Sequence, residues 1–253
     1  AASGGGLVPL DRCGYALDRG AEFESFATMV DALEGVATPV TLATVLGDLN
    51  RQPNVVSNGA VPGDPPGVSY AFQWEASENS NATWVPQGLT GSPDASPTAL
   101  VGGRKLVLVS AYFDEDVDPG AAPKGVRLAM VDVTDPASPA YRFLLLVEPT
   151  AGPSWAPVRI HAGGIAWFGD YLYVADTSKG LRVFDLRRIF QADTSENVIG
   201  CDGVVCKAGL YKYALPQIGA YHRAGACDPA RFSFVALDRS TPTPTLVTGE
   251  YCS

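Results

Sequence analysis

One internal repeat constrains the fold of this chain more than any other feature. Residues 161–186, HAGGIAWFGDYLYVADTSKGLRVFDL, predict three short strands joined by two tight turns. An earlier stretch repeats this pattern with longer loops: GLT at 88–90 corresponds to GIA at 164–166, and KGVR at 124–127 corresponds to KGLR at 179–182. Because loops lengthen more readily than strands, two copies of one structural unit are predicted.

A fourth apolar strand completes each copy. In the first unit it is YRFLLLVEP, and in the second it is GLYKYALPQIGAYHR, which follows a long insertion. Four antiparallel strands per repeat are the pattern of a β-propeller blade, and glycines in the first strand suit the crowding of backbones near a propeller axis. A β-sandwich is the alternative. It explains alternating strands, but not a repeat with Gly and Lys-Gly at matched places. The predicted fold class is therefore all-β, a β-propeller of four-stranded blades with one short N-terminal helix.

In strand order and in the Gly-Leu/Ile and Lys-Gly-x-Arg punctuation, residues 84–252 resemble secreted bacterial β-propellers with WD-repeat-like or lactonase-like blades. The abundance of Ala, Gly and Pro, with Arg in excess over Lys, resembles actinobacterial secreted proteins. The resemblance extends to propellers of the dispase autolysis-inducing type, which are transglutaminase substrates. It implies an exported protein whose ligands bind at the mouth of a central channel.

The N-terminal part of the chain, residues 1–83, differs from the repeat region. AEFESFATMVDALE, residues 21–34, places apolar side chains at helical spacing, and Gly35 follows as a stop signal. This predicts one helix, followed by strands that join the propeller. Residues 84–253 are predicted to form two complete blades and the start of a third. The last 23 residues read either as the first two strands of a blade or as a hairpin of its third and fourth strands.

Known propellers have at least about four blades, and an open ring would leave bare strand edges. We therefore expect one domain that is completed by residues outside this chain.

Five cysteines indicate an oxidising, extracellular compartment. Cys201 and Cys206 are close enough to close a short loop, and Cys227 and Cys252 flank a possible hairpin that they could staple. That assignment leaves Cys13, which is then either free or bonded to a second chain that completes the propeller.

The formal net charge is −9 and no basic run is longer than Arg187-Arg188, so nucleic acid and anionic membranes are not expected as partners. No apolar run reaches the roughly 18–20 residues of a membrane helix. An extracellular protein partner is expected instead.

Few residues suggest chemistry. His161 precedes the first strand of the second unit, where a propeller channel opens, and could act as a base or a metal ligand; a structural or rim histidine is the alternative. The acidic run FDEDVD offers Asp114, Glu115, Asp116 and Asp118 as ligands for Ca²⁺, although a solvated loop explains it equally. No other cofactor is expected. Aspartates at strand ends are expected to cap turns. No Ser-His-Asp order, phosphate loop or HExxH motif occurs.

These observations lead to two functional hypotheses. The first is a non-catalytic interaction module whose insertions at 113–123 and 190–210 supply the binding surface. Variants of it are a protein that modulates a protease and a transglutaminase substrate, with Gln52 and Gln191 as the cross-linking candidates. The second is a hydrolase or lyase of the lactonase-like kind that works in the channel with His161 as its base. A propeller fold alone does not decide between them.

Overall fold

A computed structural model describes residues 12–56, 63, 66–68, 70–225, 227, 228 and 230–250. Strands dominate it and run in chain order as β1 Leu17–Arg19, β2 Thr38–Val40, β3 Asn54–Val56, β4 Ala71–Gln73, β5 Trp84–Gly91, β6 Leu106–Phe113, β7 Val126–Asp132, β8 Ala140–Thr150, β9 Ser154–Pro157, β10 Ile165–Phe168, β11 Tyr171–Asp176, β12 Gly180–Asp185, β13 Ile189–Gln191, β14 Ile199–Cys201, β15 Cys206–Ala208, β16 Tyr213–Arg223, β17 Phe234–Asp238 and β18 Thr245–Gly249. The helices are α1 Glu22–Ala32, α2 Leu42–Leu46, α3 Ala76–Asn79 and α4 Ser92–Ala95.

The predicted N-terminal helix is confirmed. α1 begins with two acidic residues in its first turn, which suits the positive end of the helix dipole, and a 3₁₀ turn over Leu33–Gly35 ends it. Its buried side chains, Val30 and Leu33, pack in one cluster with Leu145 of β8 and Ala214 of β16. The three further helices are four or five residues long, too short for a helical period to show in the sequence.

Both predicted four-stranded units are present, which confirms the all-β, propeller-like fold. In the first unit β5, β6, β7 and β8 pair antiparallel in chain order. In the second unit β10, β11, β12 and β16 do the same, with β16 arriving after the insertion. The second strands are apolar because both faces of each sheet are covered. Leu106 and Leu108 enter one buried cluster, and Val107 and Val109 pack against another.

The two units lie face to face around a shared apolar interior, to which both contribute leucine, valine and aromatic side chains. Their fourth strands pair in parallel, residues 145–147 of β8 with 214–216 of β16. Their first strands approach where a Cβ on Gly88 would lie 2.8 Å from the Ile165 nitrogen. The sheet therefore nearly closes on itself, and the matched glycines stand at the closest approach of the first strands, as the repeat predicted.

A third unit begins on the opposite face of the second one. β17 and β18 form an antiparallel hairpin, and β17 packs beside β10, where a Cβ on Gly164 would lie 2.6 Å from the Phe234 Cα. Gly164 thus meets the third unit as Gly88 meets the second. This placement favours reading the hairpin as the first two strands of a blade. Whether residues outside this chain complete the domain remains a prediction.

The repeated Lys-Gly-x-Arg sequence marks the start of each third strand. Gly125 and Gly180 have φ of +72° and +127°, in the region that favours glycine, and backbone oxygens lie against both of them. The arginines two residues later are buried. Arg182 pairs with Glu148 of the preceding unit, and Arg127 pairs with Glu78 of α3 at 2.6 Å. The repeat therefore encodes an ion pair from each unit to the segment before it.

The cysteine prediction is partly wrong. Cys201 and Cys206 are bonded, as their spacing predicted, and the bond closes the β14–β15 hairpin. Cys13, however, is bonded to Cys227, so it is not available to a second chain and Cys227 cannot staple Cys252. The physical reason is β1, which pairs with the end of β16 and so brings the N-terminal segment beside residue 227. Cys252 lies outside the described residues.

Candidate functional site

Two open cavities of about 570 and about 620 Å³ lie at one end of the stacked units. We call this end the cavity end. It carries the connections after β6, β9 and β11 and those before β10 and β17. Residues 159–161 line both cavities and form a ridge between them. The connections that lead into β10 and β17 lie here, and the placement of His161 at a channel mouth stays a prediction.

The first cavity brings together residues that the sequence analysis had treated separately. His161 and the acidic residues Asp114, Glu115 and Asp116 all line it, whereas Asp118 does not. The His161 and Tyr112 rings lie 4.6 Å apart between centroids. Burial, followed by the carboxylates of Asp114 and Asp116, raises the pKa of the Tyr112 hydroxyl, which is therefore a neutral donor at physiological pH.

An exposed ion pair joins the ridge to the acidic loop. Arg159 donates from Nε to Glu115 Oε1 at 2.9 Å and from Nη2 to Glu115 Oε2 at 2.5 Å, in the two-pronged geometry of an arginine–carboxylate pair. Asp114 instead accepts the backbone N–H of Asp116 at 3.1 Å. Within the described residues, no group of three or more His, Cys, Asp or Glu side chains converges to hold a metal ion, so the predicted Ca²⁺ ligands Asp114, Glu115, Asp116 and Asp118 are not assembled.

The second cavity lies where the first strands begin. Gln87 and Gly163, which occupy corresponding places in the two units, both line it, together with His161, Ser178 and Ser233. Below it the buried Ser110 hydroxyl ties the units together, because it accepts the Gly88 N–H at 2.9 Å and donates to the Ala162 carbonyl at 3.0 Å. The walls of this cavity are thus held by bonds between units.

Asp176 contributes structure to this cavity. Its Oδ1 accepts from Ser178 and from the Lys179 backbone N–H, and its Oδ2 accepts from Arg182 Nε at 2.9 Å. Burial acts to raise the pKa of Asp176, but the Arg182 ion pair and the Ser178 bonds outweigh it, so the pKa lies below its ordinary value. Asp132 and Asp185 likewise accept backbone N–H groups two residues ahead, which confirms the predicted turn-capping role.

The two predicted insertions lie in different places. The loop after β6 borders the first cavity, as expected of a binding surface. The 190–210 insertion instead folds into the β14–β15 hairpin, which packs on β9: Trp155 donates to the Lys207 carbonyl at 2.9 Å, and Cys201 donates its backbone N–H to Ser154 at 2.8 Å. Its buried side chains, Cys206 and Ala208, cover the sheet.

The cross-linking candidates differ in backbone setting. Both side chains are exposed. Gln52 lies in an irregular segment before β3, whereas Gln191 ends β13, whose backbone pairs with β16 on one side and β2 on the other. Gln191 therefore lies in a paired strand and not in a loop. The tryptophans Trp84, Trp155 and Trp167 are buried between elements.

Sequence reasoning missed Arg159, Ile160, Tyr112, Ser178 and Ser233 as cavity residues. Alignment of the two units could have found Ser178, because it directly precedes the matched Lys-Gly pair. Arg159 and Ile160 lie in an irregular connection outside the repeat, so no periodic signal marks them.

The class of protein that this geometry defines is a propeller-like repeat protein with an open site at its cavity end. Comparison with known families agrees: residues 161–186 match the LVIVD repeat, a repeat associated with β-propellers. These residues are the strands β10–β12 and the ridge residue His161. No curated protein and no solved structure matches the chain. No helix of the described residues is long and apolar enough to cross a membrane.

Proposed function

We propose that the protein is an extracellular interaction module that binds a protein partner through its cavity end. The observation that carries this proposal is the exposed ridge between two open cavities, in which Arg159 and His161 stand at the surface. The ridge is polar, is flanked by a charged loop and rests on a rigid sheet, a combination that recurs where rigid scaffolds present binding loops. The two disulfides are compatible with an extracellular setting.

Site-specific photocross-linking tests this proposal. A photoreactive phenylalanine analogue replaces His161 in one variant and Asp170, at the opposite end of the second unit, in the matched control. Irradiation in the culture fluid of the producing organism should give one discrete conjugate from position 161 and none from position 170. Adding Arg159→Ala should weaken that conjugate, because the ion pair that shapes the ridge is lost. Equal conjugation at both ends, or none at position 161, would refute a binding site at the cavity end.

The cross-linking variant of this proposal rests on Gln52. Its side chain is exposed and its backbone lies outside the strands, so it is the better acyl donor of the two candidates. Incubation with transglutaminase and a labelled amine should modify Gln52 and leave Gln191 unmodified. Peptide mapping that finds no label at Gln52 removes this variant without affecting the binding proposal.

The alternative, a hydrolase or lyase working in the channel, is favoured by one observation: His161 shares a cavity with Asp114–Asp116. Within the described residues, however, no carboxylate hydrogen-bonds to the His161 ring, which a general base ordinarily requires for its orientation. Turnover of lactone or ester substrates that disappears in His161→Ala at unchanged stability would establish the alternative. Turnover that persists in His161→Ala excludes it.

A further inference from the structure

A second site lies on the side of the first unit, next to the first cavity but with different lining residues. A recess of about 190 Å³ is bordered by the segment before β3, the start of β7, the middle of β8 and the segment before β16. We call it the cationic pocket. In a chain with net charge −9, five of the eighteen Lys and Arg residues line it. They are Arg51, Lys124, Arg127, Arg142 and Lys212.

Carboxylates balance this charge only in part. Arg51 pairs with Glu75 and Glu78, and Glu78 also pairs with Arg127. Asp48 forms ion pairs with Arg142 at 3.2 Å and with Lys212 at 2.6 Å. Three carboxylates thus meet five cations, and none of the described carboxylates pairs with Lys124. Concentrating like charge in a recess without a counter-ion is unfavourable, so the surplus indicates a place for an anion.

Arg127 supplies the second, independent observation. Its side chain is 8% exposed and lies against the rings of Trp84 and Phe143, with its guanidinium carbon 3.8 Å from the Phe143 centroid. Nη2 donates to Glu78 and Nη1 donates to the Tyr211 hydroxyl at 3.5 Å, but the buried Nε–H has no acceptor among the described residues. A buried guanidinium N–H without an acceptor costs free energy, and this donor belongs to the fork that recognises oxyanions.

Lys124 lies in the pocket close enough to Arg127 for their positive charges to repel each other. Its Nζ donates to the Gly209 carbonyl at 3.0 Å and lies 5.6 Å from the centroid of the Tyr211 ring. Burial, and then the positive charge of Arg127, lower the pKa of Lys124. An anion bound between Lys124 and Arg127 would offset the repulsion from Arg127 and so stabilise the charged form of Lys124.

We propose that the cationic pocket binds a tetrahedral oxyanion, a phosphate or sulfate group, held by Lys124 and Arg127, with Tyr211 and Phe143 as an aromatic wall. Such a group would accept the free Nε–H of Arg127 and pair with the point charge of Lys124. The ligand is either the free ion or the same group esterified to a larger molecule, and the aromatic wall is where an ester substituent would lie. This site shares no lining residue with either cavity of the cavity end, so neither proposal depends on the other.

The test is calorimetric titration of the full chain with inorganic phosphate and with sulfate, at constant ionic strength maintained with NaCl. Lys124→Met keeps the aliphatic stem over Tyr211 but removes the charge, and Lys105→Met removes the same charge at an exposed site far from the pocket. We expect saturable binding that Lys124→Met weakens about tenfold or more and that Lys105→Met changes by less than about twofold. Phosphate should also raise Tm in the wild type above the value in matched NaCl.

Two results would overturn the proposal. One is no binding or stabilisation at about 10 mM phosphate, a concentration that fills a site of millimolar affinity. The other is equal weakening by Lys124→Met and Lys105→Met, which would show only the loss of net charge. The same titration with phenyl phosphate separates the two sources of the group. Tighter binding than inorganic phosphate indicates an esterified ligand on the aromatic wall, and equal binding indicates the free ion.

Discussion

At the scale of single residues, the repeated Lys-Gly-x-Arg sequence performs two tasks. Its glycine adopts a backbone conformation and a close contact that a side chain would prevent, and its buried arginine forms an ion pair with the segment before it. The sequence allowed the glycines to be predicted as conformational, because they recur at strand starts. It did not allow the arginine partners to be predicted, since Glu78 and Glu148 lie at different places relative to their repeats.

Gly125 should be intolerant of a side chain. Its φ of +72° is strained for alanine, and a Cβ would lie 2.8 Å from the Val158 carbonyl carbon. We expect Gly125→Ala to lower the free energy of unfolding by about 3 kcal/mol or more. Gly103→Ala is the matched control, because its φ is +76° but nothing lies within 4 Å of the added Cβ. It should cost only about 1 kcal/mol. Urea unfolding measures both, and equal losses would show that the contact with Val158 is not important.

Asp176 should contribute a pH-dependent part of the stability. Its folded-state pKa lies below the ordinary value of 3.8, so its contribution is fully present above that pH and is lost as the pH falls through the folded-state pKa. Asp176→Asn should cost about 3–5 kcal/mol at pH 7, because Arg182 would lose its buried partner.

The matched control for Asp176 is Asp118→Asn, which alters an exposed loop and should change stability by less than about 0.5 kcal/mol. Denaturant unfolding at pH 7 and at acid pH provides the comparison. A loss in Asp176→Asn that stays constant down to the lowest pH would contradict the assigned ion pair.

At the scale of elements, the strands of the two units could be predicted because their apolar runs repeat, whereas the short elements could not. α2, α3 and α4 are too brief to show a period, and β13 to β15 lie within an insertion that the repeat does not contain. The helix α1 could be predicted from its spacing, but its location on the outer faces of β8 and β16 is a long-range property. Burial of Leu33 there is the clearest measure of that packing.

Leu33→Ala should therefore destabilise the protein, since this side chain is fully buried between the helix end and the sheet. Deleting such a side chain costs about 2–5 kcal/mol. Leu89→Ala is the control on the first strand, because Leu89 is 69% exposed and should change stability by less than about 0.5 kcal/mol. If chemical denaturation shows similar values for the two variants, α1 is not docked as described.

At the scale of the molecule, two units with a third beginning were predictable, and so was the meeting of Gly88 with its matched glycine. The cavity end was predictable only in part. His161 was placed at a channel mouth from its position before β10, but the approach of the acidic loop depends on Arg159, which no pattern marks. Cysteine pairing was mispredicted for a similar reason: Cys13 and Cys227 are 214 residues apart and meet through β1.

The two disulfides should differ in their contribution to stability. The Cys13–Cys227 bond closes a long loop and the Cys201–Cys206 bond a loop of five residues, so loop entropy predicts about 5 and about 2 kcal/mol respectively. Paired Cys→Ser variants, each made in a Cys252→Ser background to prevent thiol exchange, measure these values by equilibrium unfolding. A larger loss from the short loop would show that favourable native-state contacts, and not chain entropy, dominate.

The shared interior described for the first two units has a thermodynamic consequence. In stacked repeats with an apolar layer of their own, unfolding can spread from one copy to the next. Here Leu106, Leu128 and Leu144 of the first unit share one buried cluster with Trp167, Leu172 and Phe184 of the second, so separation would expose this cluster in both copies. The sequence is duplicated, but each copy depends on contact with the other for its stability. The two copies are therefore expected to melt as a single cooperative block, and a chain cut between them is expected to leave two fragments that do not fold.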